Sequence, residues 1–223
     1  MFKVAIDGPS GAGKSTIAKA VAKKLGYIYI DTGAMYRAAA LACLNHGINI
    51  KENPKSSIEI VNNISIDIDY IDGVQKIFLN GEDVSLKIRT PEVSMGASDV
   101  SAIGEVRKKL VALQRELSGT KNVIMDGRDI GTHVLPDAQV KIFLTANPEV
   151  RANRRYKELI DKGMNVEFTS VLSDIKLRDH QDSTRTVSPL KQADDAVLLD
   201  TSELSFDESV NRVLNIINNK QEV

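Results

Sequence analysis

The sequence predicts an α/β fold in which a parallel sheet is covered by helices on both faces. Short apolar strands alternate with amphipathic segments along most of the chain, a pattern typical of parallel sheets built from strand–helix–strand units. Glycine and charge are concentrated where the strands end, and ligands of such sheets bind at the carboxyl ends of the strands. A run with period-two alternation at 64–85 indicates an insert of a different kind.

The first half of the sheet is predicted by four consecutive segments. The apolar run 2–6 is bounded by Asp-Gly-Pro, as expected of a buried strand. Segment 14–26 has helical apolar spacing and a glycine at its end, 27–30 reads as a second strand, and 32–47 as a second helix. Together they predict two strand–helix units.

The insert at 64–85 carries two turn signals, Asp72-Gly73 and Asn80-Gly81, between alternating apolar and polar residues. These dipeptides favour tight hairpin turns. We expect an antiparallel hairpin or a small three-stranded meander.

The second half of the sheet follows the insert. An amphipathic helix is predicted over 102–117, and core strands over 122–126 and 140–144, each followed by a helix. The last strand is expected at 196–200 and the closing helix at 205–220.

The composition of the chain argues against nucleic-acid and membrane partners. The 223 residues suit one α/β domain with an insert, and the net charge of -1 provides no global field toward nucleic acid or a membrane surface. No stretch approaches the roughly 20 apolar residues of a membrane span, and the strand pattern from the first residues leaves no room for a signal peptide. The single cysteine, Cys43, excludes an internal disulfide. We expect a cytoplasmic monomer without nucleic-acid or membrane partners.

Residues 8–15 read GPSGAGKS and match G-x-x-x-x-G-K-[ST] between a strand and a helix. Lys14 is expected to reach the β- and γ-phosphates of a nucleotide, and the Ser15 hydroxyl to ligate Mg²⁺. The residues expected to hold ATP are Gly8, Pro9, Ser10, Gly11, Ala12, Gly13, Lys14, Ser15 and Thr16. The motif predicts a P-loop NTPase-type sheet, but leaves kinase, GTPase, motor and transporter subunit open.

A second anion site is suggested by two segments at strand ends. In DTGAMYR, Asp31 ends a strand and Arg37 lies one to two turns into the next helix. In MDGRDIGT, Asp126, Arg128 and Asp129 follow a core strand, where buried charges need partners. An N-capped helix with a surface arginine, and an internal Asp–Arg pair, are the structural alternatives.

Two further segments concentrate arginine. Arg178, Asp182 and Arg185 are spaced so that a helix could place them on one face. They lie in a charged stretch, 162–185, that is a candidate mobile segment. Another basic cluster follows a strand, and its arginines are Arg151, Arg154 and Arg155. In both segments, a solvent-exposed helix face would produce the same pattern of charged residues.

The segments IDGPSGAGKST, DTGAMYR, IRTPEVS, DGRDIGT and RDHQDSTR occur in the order and spacing of the bacterial cytidylate kinase family. The chain resembles that family over nearly its full length. The resemblance implies a core at about 1–60 and 100–223, an inserted antiparallel domain that binds the nucleoside monophosphate at about 61–99, and a lid at about 150–165. It also implies transfer of the γ-phosphate of ATP to CMP or dCMP with Mg²⁺.

The resemblance also implies residue roles. The acceptor phosphate is matched to Arg37, Arg128 and Arg185, the cytosine to Ser98, Arg107 and Asp129, and the ribose to Arg178 and Asp182. The catalytic residues are expected to be Lys14, Asp31, Arg128 and Arg185, and the lid arginines Arg151, Arg154 and Arg155. Thr32 stands where some members have serine.

Three alternatives are weighed against this interpretation. A regulatory module that binds nucleotide without turnover is disfavoured by the intact Lys14 and Ser15. Another small-molecule P-loop kinase, for UMP, AMP or dephospho-coenzyme A, would share the phosphate loop but not the GRD and RDHQDSTR segments. A GTP-binding switch would carry an N-K-x-D element at a strand end, whereas the later strand ends read FLTANPE and LLDTSE.

Overall fold

The computed structural model describes residues 1–71, 74–119 and 121–221. Its strands are β1 (Lys3–Asp7), β2 (Ile28–Asp31), β3 (Ile66–Ile71), β4 (Val74–Leu79), β5 (Glu82–Asp83), β6 (Val123–Gly127), β7 (Val140–Thr145) and β8 (Val197–Asp200). Its α-helices are α1 (Lys14–Leu25), α2 (Thr32–Asn45), α3 (Pro54–Asn62), α4 (Pro91–Ser101), α5 (Gly104–Leu117), α6 (Pro148–Asp161), α7 (Phe168–Thr184) and α8 (Phe206–Gln221). A 3₁₀ turn covers Lys87–Arg89 and a π-helical turn Ile130–Val134.

The chain divides into two compact units. We call Met1–Tyr29 with Lys121–Val223 the terminal unit, and Ile30–Thr120 the central unit. The first division falls inside β2. The narrower insert at about 61–99 and the lid at about 150–165 remain predictions.

The terminal unit is built on a five-stranded sheet of order β2-β6-β1-β7-β8. Strand β1 pairs in parallel with β6 and with β7, and β7 pairs in parallel with β8. Helices α1 and α8 pack their apolar sides on this sheet through a buried cluster that includes Ile17, Val21, Val213 and Ile217. The predicted α/β fold with a parallel sheet is confirmed.

The segment after β6 differs from the prediction. A helix is expected there, but the structure has only the π-helical turn Ile130–Val134. The Asp7 carboxylate accepts hydrogen bonds from the backbone N–H groups of Ile130 and Gly131, and Pro136 has no N–H with which to continue a helix. The segment therefore ends after a single turn.

The charged stretch at 162–185 is mostly helical. Helix α7 occupies Phe168–Thr184 and packs against α6 through buried Val171 and Ile175. Two apolar residues four positions apart are enough to fix one side of the helix, and the surrounding charges hide this spacing in the sequence.

The central unit contains the antiparallel sheet of order β3-β4-β5. Asn80 and Gly81 both have positive φ, of 50° and 82°, which a tight hairpin turn of type I′ requires. The predicted antiparallel insert is thereby confirmed, while its other turn signal, Asp72-Gly73, lies outside the described residues. Helices α2 and α4 pack closely, since a side chain at Gly96 would come within 3.3 Å of Ala40.

Within the described ranges, no helix combines the length and the apolar character needed to cross a membrane. Cys43 is a free cysteine that is buried on α2.

Candidate active site

The phosphate loop of the terminal unit connects β1 to α1 and depends on its glycines. Gly8 has φ of 146°, and a Cβ there would lie 1.9 Å from the carbonyl oxygen of Leu144 on β7. No other residue can occupy that position without moving a core strand. Gly11 and Gly13 also have positive φ, of 74° and 92°, a conformation that glycine adopts without steric cost.

Lys14 is buried at the first position of α1, and its ammonium donates to the carbonyl oxygen of Pro9 at 2.7 Å. Burial and, secondly, the charge of Arg128 lower the pKa of Lys14 to about 7, although Asp126 and other carboxylates act in the opposite direction. An ammonium that has lost its hydration gains strongly from a bound anion. The position therefore suits the phosphates of a nucleotide.

Ser15 and Asp126 form an oxygen-lined corner beside the loop. The Ser15 hydroxyl donates to one carboxylate oxygen of Asp126 at 2.8 Å, and the Tyr29 hydroxyl donates to the other at 2.9 Å. Mg²⁺ binds through one or two protein oxygens and completes its coordination with substrate phosphates and water. This donor set fits Mg²⁺, and no group of three or more His, Cys, Asp or Glu suited to a metal occurs among the described residues.

Four of the predicted acceptor residues form two ion pairs in the terminal unit. The Arg128 guanidinium donates to Asp182 at 2.7 Å, and Arg185 donates to Asp129 at 3.4 Å. Burial alone would raise the pKa of Asp182, but the charges of Arg128, Arg185 and Arg178 outweigh burial and hold that pKa below its ordinary value. The Arg128–Asp182 pair is therefore held in its ionised form.

Asp7, at the end of β1, organises the segment that carries two of these residues. Its two carboxylate oxygens accept the N–H groups of Ile130 and Gly131 at 2.8 and 2.7 Å. Burial raises the pKa of Asp7 to about 6 although these two hydrogen bonds act in the opposite direction. Neither this contact nor the hydrogen bonds of Asp126 are predicted from the sequence, although Asp7 ends β1 and Asp126 lies next to the last residue of β6.

The three predicted lid arginines make different contacts. Arg151 is buried and donates to the carbonyl oxygens of Ser10 and Ala146 and, through two N–H groups, to Asp179. Arg154 donates to the carbonyl oxygen of Thr201 at 2.7 Å.

Arg155, the third, pairs with Glu158 within α6. Of the three, Arg151 supports the phosphate loop directly, through Ser10, and Arg154 lies next to it, 3.5 Å from the carbonyl oxygen of Ala12. The lid function of all three remains a prediction.

The central unit holds the other predicted acceptor residues. Asp31 caps α2 by accepting the N–H of Ala34 at 2.9 Å, and it pairs with Arg37 at 3.0 Å. Arg107 is buried, donates to the carbonyl oxygen of Ser101 and lies over the ring of Tyr36 at 5.5 Å. Ser98 lies on α4, where its carbonyl oxygen accepts the Ser101 hydroxyl.

The fold and the phosphate loop define a nucleotide-binding protein of the P-loop kinase class. A gluconokinase from Sinorhizobium meliloti has the same fold, with a TM-score of 0.52 and 15% identity over 98% of this chain and 92% of that chain. An uncharacterized protein from Eubacterium ventriosum also has a TM-score of 0.52, at 11% identity over 98% of this chain and 99% of that chain. Identity this low supports the fold alone.

Sequence similarity identifies the family. Residues 4–219 match the family described as cytidylate kinase. A cytidylate kinase from Caldicellulosiruptor bescii is 55% identical over 215 residues, covering 96% of this chain and 95% of the relative. One from Lactobacillus johnsonii is 50% identical over 221 residues, covering 99% and 96%. The chain belongs to the cytidylate kinase family, which confirms the resemblance predicted from its motifs.

Proposed function

We propose that this protein transfers the γ-phosphoryl group of ATP to CMP or dCMP, giving ADP and CDP or dCDP. The observation that carries the proposal is the family match over residues 4–219, with relatives aligned over nearly their whole length. The site residues support it, because a phosphate loop and a second set of arginines are what a kinase with an anionic acceptor needs.

On the donor side, the backbone N–H groups of the phosphate loop and the Lys14 ammonium bind the ATP phosphates. Ser15 and Asp126 would hold Mg²⁺, which when bound neutralises charge on the phosphates. Arg151 keeps the loop in shape through its hydrogen bond to the Ser10 carbonyl oxygen. These contacts position the γ-phosphorus for in-line attack, opposite the leaving oxygen of ADP.

On the acceptor side, the family resemblance assigns the phosphate of CMP to Arg128 and Arg185 in the terminal unit and to Arg37 in the central unit. It assigns the ribose to Arg178 and Asp182. Arginine suits this role because its planar guanidinium donates two parallel hydrogen bonds to a phosphate.

The base is assigned to Ser98, Arg107 and Asp129. Cytosine has an amino group beside two acceptors, so a carboxylate can accept from the amino group while Arg107 or Ser98 donates to the acceptors. Uracil has a carbonyl in the amino position, which would face the carboxylate unfavourably. Sites built on such hydrogen bonds discriminate by about 10⁴ or more.

The transfer is a direct in-line displacement. A phosphate oxygen of CMP forms the new bond to the γ-phosphorus as the bond to the bridging oxygen of ATP breaks and ADP leaves with that electron pair. The attacking oxygen is already anionic, so no strong general base is required. Lys14 and the arginines stabilise the charge that develops, and positioning supplies the remainder of the rate enhancement.

The remaining parts of the proposal concern cellular context. We take the protein to act as a cytoplasmic monomer on small-molecule substrates, with a lid at about 150–165 that excludes water from the phosphoryl group. The net charge of -1 supports the absence of a nucleic-acid partner.

Phosphorus NMR of the protein with ATP, CMP and Mg²⁺ tests the reaction. We expect CDP and ADP to appear in equal amounts, with little inorganic phosphate. Release of inorganic phosphate without CDP would instead indicate an NTP hydrolase or a nucleotide switch.

A further inference from the structure

Asp179 lies on α7 within the segment RDHQDSTR and has no assigned role in the reaction. Its neighbours do, since Arg178 and Asp182 are assigned to the ribose and Arg185 to the acceptor phosphate. The carboxylate of Asp179 instead faces Arg151 of α6, and its two oxygens accept from that guanidinium at 3.0 and 2.6 Å. Asp179 is therefore bound to another part of the protein.

The Arg151 guanidinium joins three parts of the terminal unit. Besides Asp179, it donates to the carbonyl oxygen of Ser10 in the phosphate loop at 3.0 Å and to that of Ala146, directly after β7, at 2.7 Å. Four hydrogen bonds come close to the donor capacity of a guanidinium, and only 4% of the Arg151 side chain is exposed. The guanidinium has little freedom to rotate, so it fixes the distance between Ser10 and Asp179.

Apolar packing brings the same two helices against the phosphate loop. At Gly11, a Cβ would lie 3.2 Å from the Cβ of Arg151 and 3.4 Å from Cδ1 of Ile175 on α7. Ile175 is buried, and it lies four residues before Asp179, on the same side of the helix. Helix α7 thus contacts the loop through Ile175 and is joined to it by Asp179 through Arg151.

The next turn of α7 leads to the predicted acceptor residues. Asp182 pairs with Arg128 at 2.7 Å, and Arg185, directly after the helix, donates to Asp129 at 3.4 Å. A displacement of α7 relative to the phosphate loop would therefore move the acceptor residues relative to the donor phosphates.

We propose that Asp179 is a positioning residue, which acts through Arg151 to hold α7, and with it the acceptor residues, in a fixed place relative to the phosphate loop. This inference rests on the proposed function, in which the attacking oxygen, the γ-phosphorus and the leaving oxygen must lie in line. A misplacement of about 1 Å can cost about 10²-fold in rate. A bidentate arginine–carboxylate pair suits the task, because it fixes orientation as well as distance.

Asp179→Asn tests the proposal because it keeps the size of the side chain, removes its charge and replaces one acceptor by a donor. Arg151 retains its bonds to the two carbonyl oxygens, so the loop and the helix are less firmly joined. We expect kcat to fall about tenfold. Calorimetric titrations with CMP alone and with ADP and Mg²⁺ alone should give dissociation constants within about threefold of the wild type, since no contact with a nucleotide is lost.

Asp174→Asn is the matched control, because it makes the same change at an exposed position of α7. We expect wild-type kinetics from it. Asp179→Glu keeps the charge that Arg151 needs but displaces the carboxylate by one methylene, and its kcat should lie about threefold below that of the wild type. This partial rescue separates the ion pair from the other properties of the position.

A double-mutant cycle tests whether Asp179 acts through Arg151. Arg151→Met removes the guanidinium, and we expect it to lower kcat as well. Addition of Asp179→Asn to Arg151→Met should then change kcat by less than about twofold, because the link is already broken.

Three results would overturn the inference. One is a kcat of Asp179→Asn within about twofold of the wild type, and another is a loss of CMP or ADP binding as large as the loss of kcat, which would mean a role in binding or in the fold. The third is full additivity in the cycle with Arg151→Met. If Asp179→Asn does not fold, an unchanged kcat in Asp179→Glu overturns the inference instead. Absence of CDP formation by the wild type is a separate result, in which the proposed function fails and the inference with it.

Discussion

The arginine–carboxylate clusters of the two units are built differently. In the terminal unit, Arg185 and Asp129 pair with only 5% and 6% of their side chains exposed, and Arg128 has its own carboxylate, Asp182. In the central unit, Arg37 and Arg89 share one carboxylate oxygen of Asp31, and Arg89 is half-exposed.

The buried ion pairs contribute to the stability of the fold, whereas the exposed arginine is available for binding. A buried ion pair holds its arginine in place, and removal of the carboxylate leaves an uncompensated charge that destabilises the fold. An exposed arginine with a long, shared hydrogen bond contributes little to stability. We therefore expect substitutions in the buried ion pairs of the terminal unit to affect both folding and catalysis, and substitution of Arg89 to leave the stability of the fold nearly unchanged.

The largest effect is expected for Lys14→Ala, which removes the positive charge nearest the donor phosphates without breaking a buried ion pair. Turnover should fall by about 10³-fold or more, because charge stabilisation of the transferred group is lost. The urea midpoint should stay close to that of Lys24→Ala, an exposed lysine on the same helix that serves as the control. Unchanged turnover would contradict the role of the phosphate loop.

Asp182→Ala tests the buried pair directly. Loss of the carboxylate leaves the Arg128 guanidinium largely buried without its partner, and we expect the free energy of unfolding to fall by about 3 kcal/mol. The matched change Glu82→Ala removes a carboxylate from the exposed pair with Lys87, and should cost less than about 0.5 kcal/mol. Equal losses in urea unfolding would remove the distinction between the two kinds of cluster.

Asp7→Asn tests the buried carboxylate that orients the Arg128–Asp129 segment. The pKa of Asp7 is raised from 3.8 to about 6, so the folded state holds the proton more tightly than the unfolded state. The contribution of this group to stability is complete below pH 3.8 and is lost as the pH rises to 6. Between pH 4 and 6 the wild type should lose about 2 kcal/mol relative to Asp7→Asn.

The measurement for Asp7 is the difference in unfolding free energy between the two proteins at several pH values. Groups that do not interact with Asp7 titrate equally in both proteins, so the difference reports on Asp7 and on the Lys14 ammonium to which its charge is coupled. A difference that does not change with pH would mean that the carboxylate is charged throughout this range.

Asp129→Ala is expected to have the smallest effect of the series on kinetics and the most selective one, although loss of its buried pair with Arg185 should also lower the free energy of unfolding. The KM for CMP should rise about tenfold, as for one hydrogen bond to a charged group, with little change in the KM for ATP. Steady-state kinetics with each substrate varied in turn provides the test. Equal changes in both constants would assign Asp129 to the donor site or to the fold.

The sequence predicts those features that depend on neighbouring residues. The strands, the phosphate loop and the antiparallel insert follow from local periodicity and turn residues. Two carboxylates, one at the end of β1 and one next to the last residue of β6, illustrate what local pattern cannot predict. Asp7 accepts the backbone N–H groups of Ile130 and Gly131, more than 120 positions away, and Asp126 accepts the Ser15 hydroxyl, 111 positions away.

The contacts of Arg151 could not be predicted from the local sequence either. Its position after a strand suggests a lid, but its partners are Ser10 and Asp179, which only the folded chain brings together. The charged stretch around α7 conceals Val171 and Ile175, whose burial fixes that helix.

The most direct test of the account is a coupled ADP-release assay with ATP, Mg²⁺ and a panel of nucleoside monophosphates. CMP or dCMP should give the highest kcat/KM, exceeding UMP and AMP by at least about tenfold, because uracil has no amino group for Asp129 and adenine lacks the second acceptor that cytosine has in O2. Faster turnover with UMP or AMP than with CMP and dCMP would contradict the assignment.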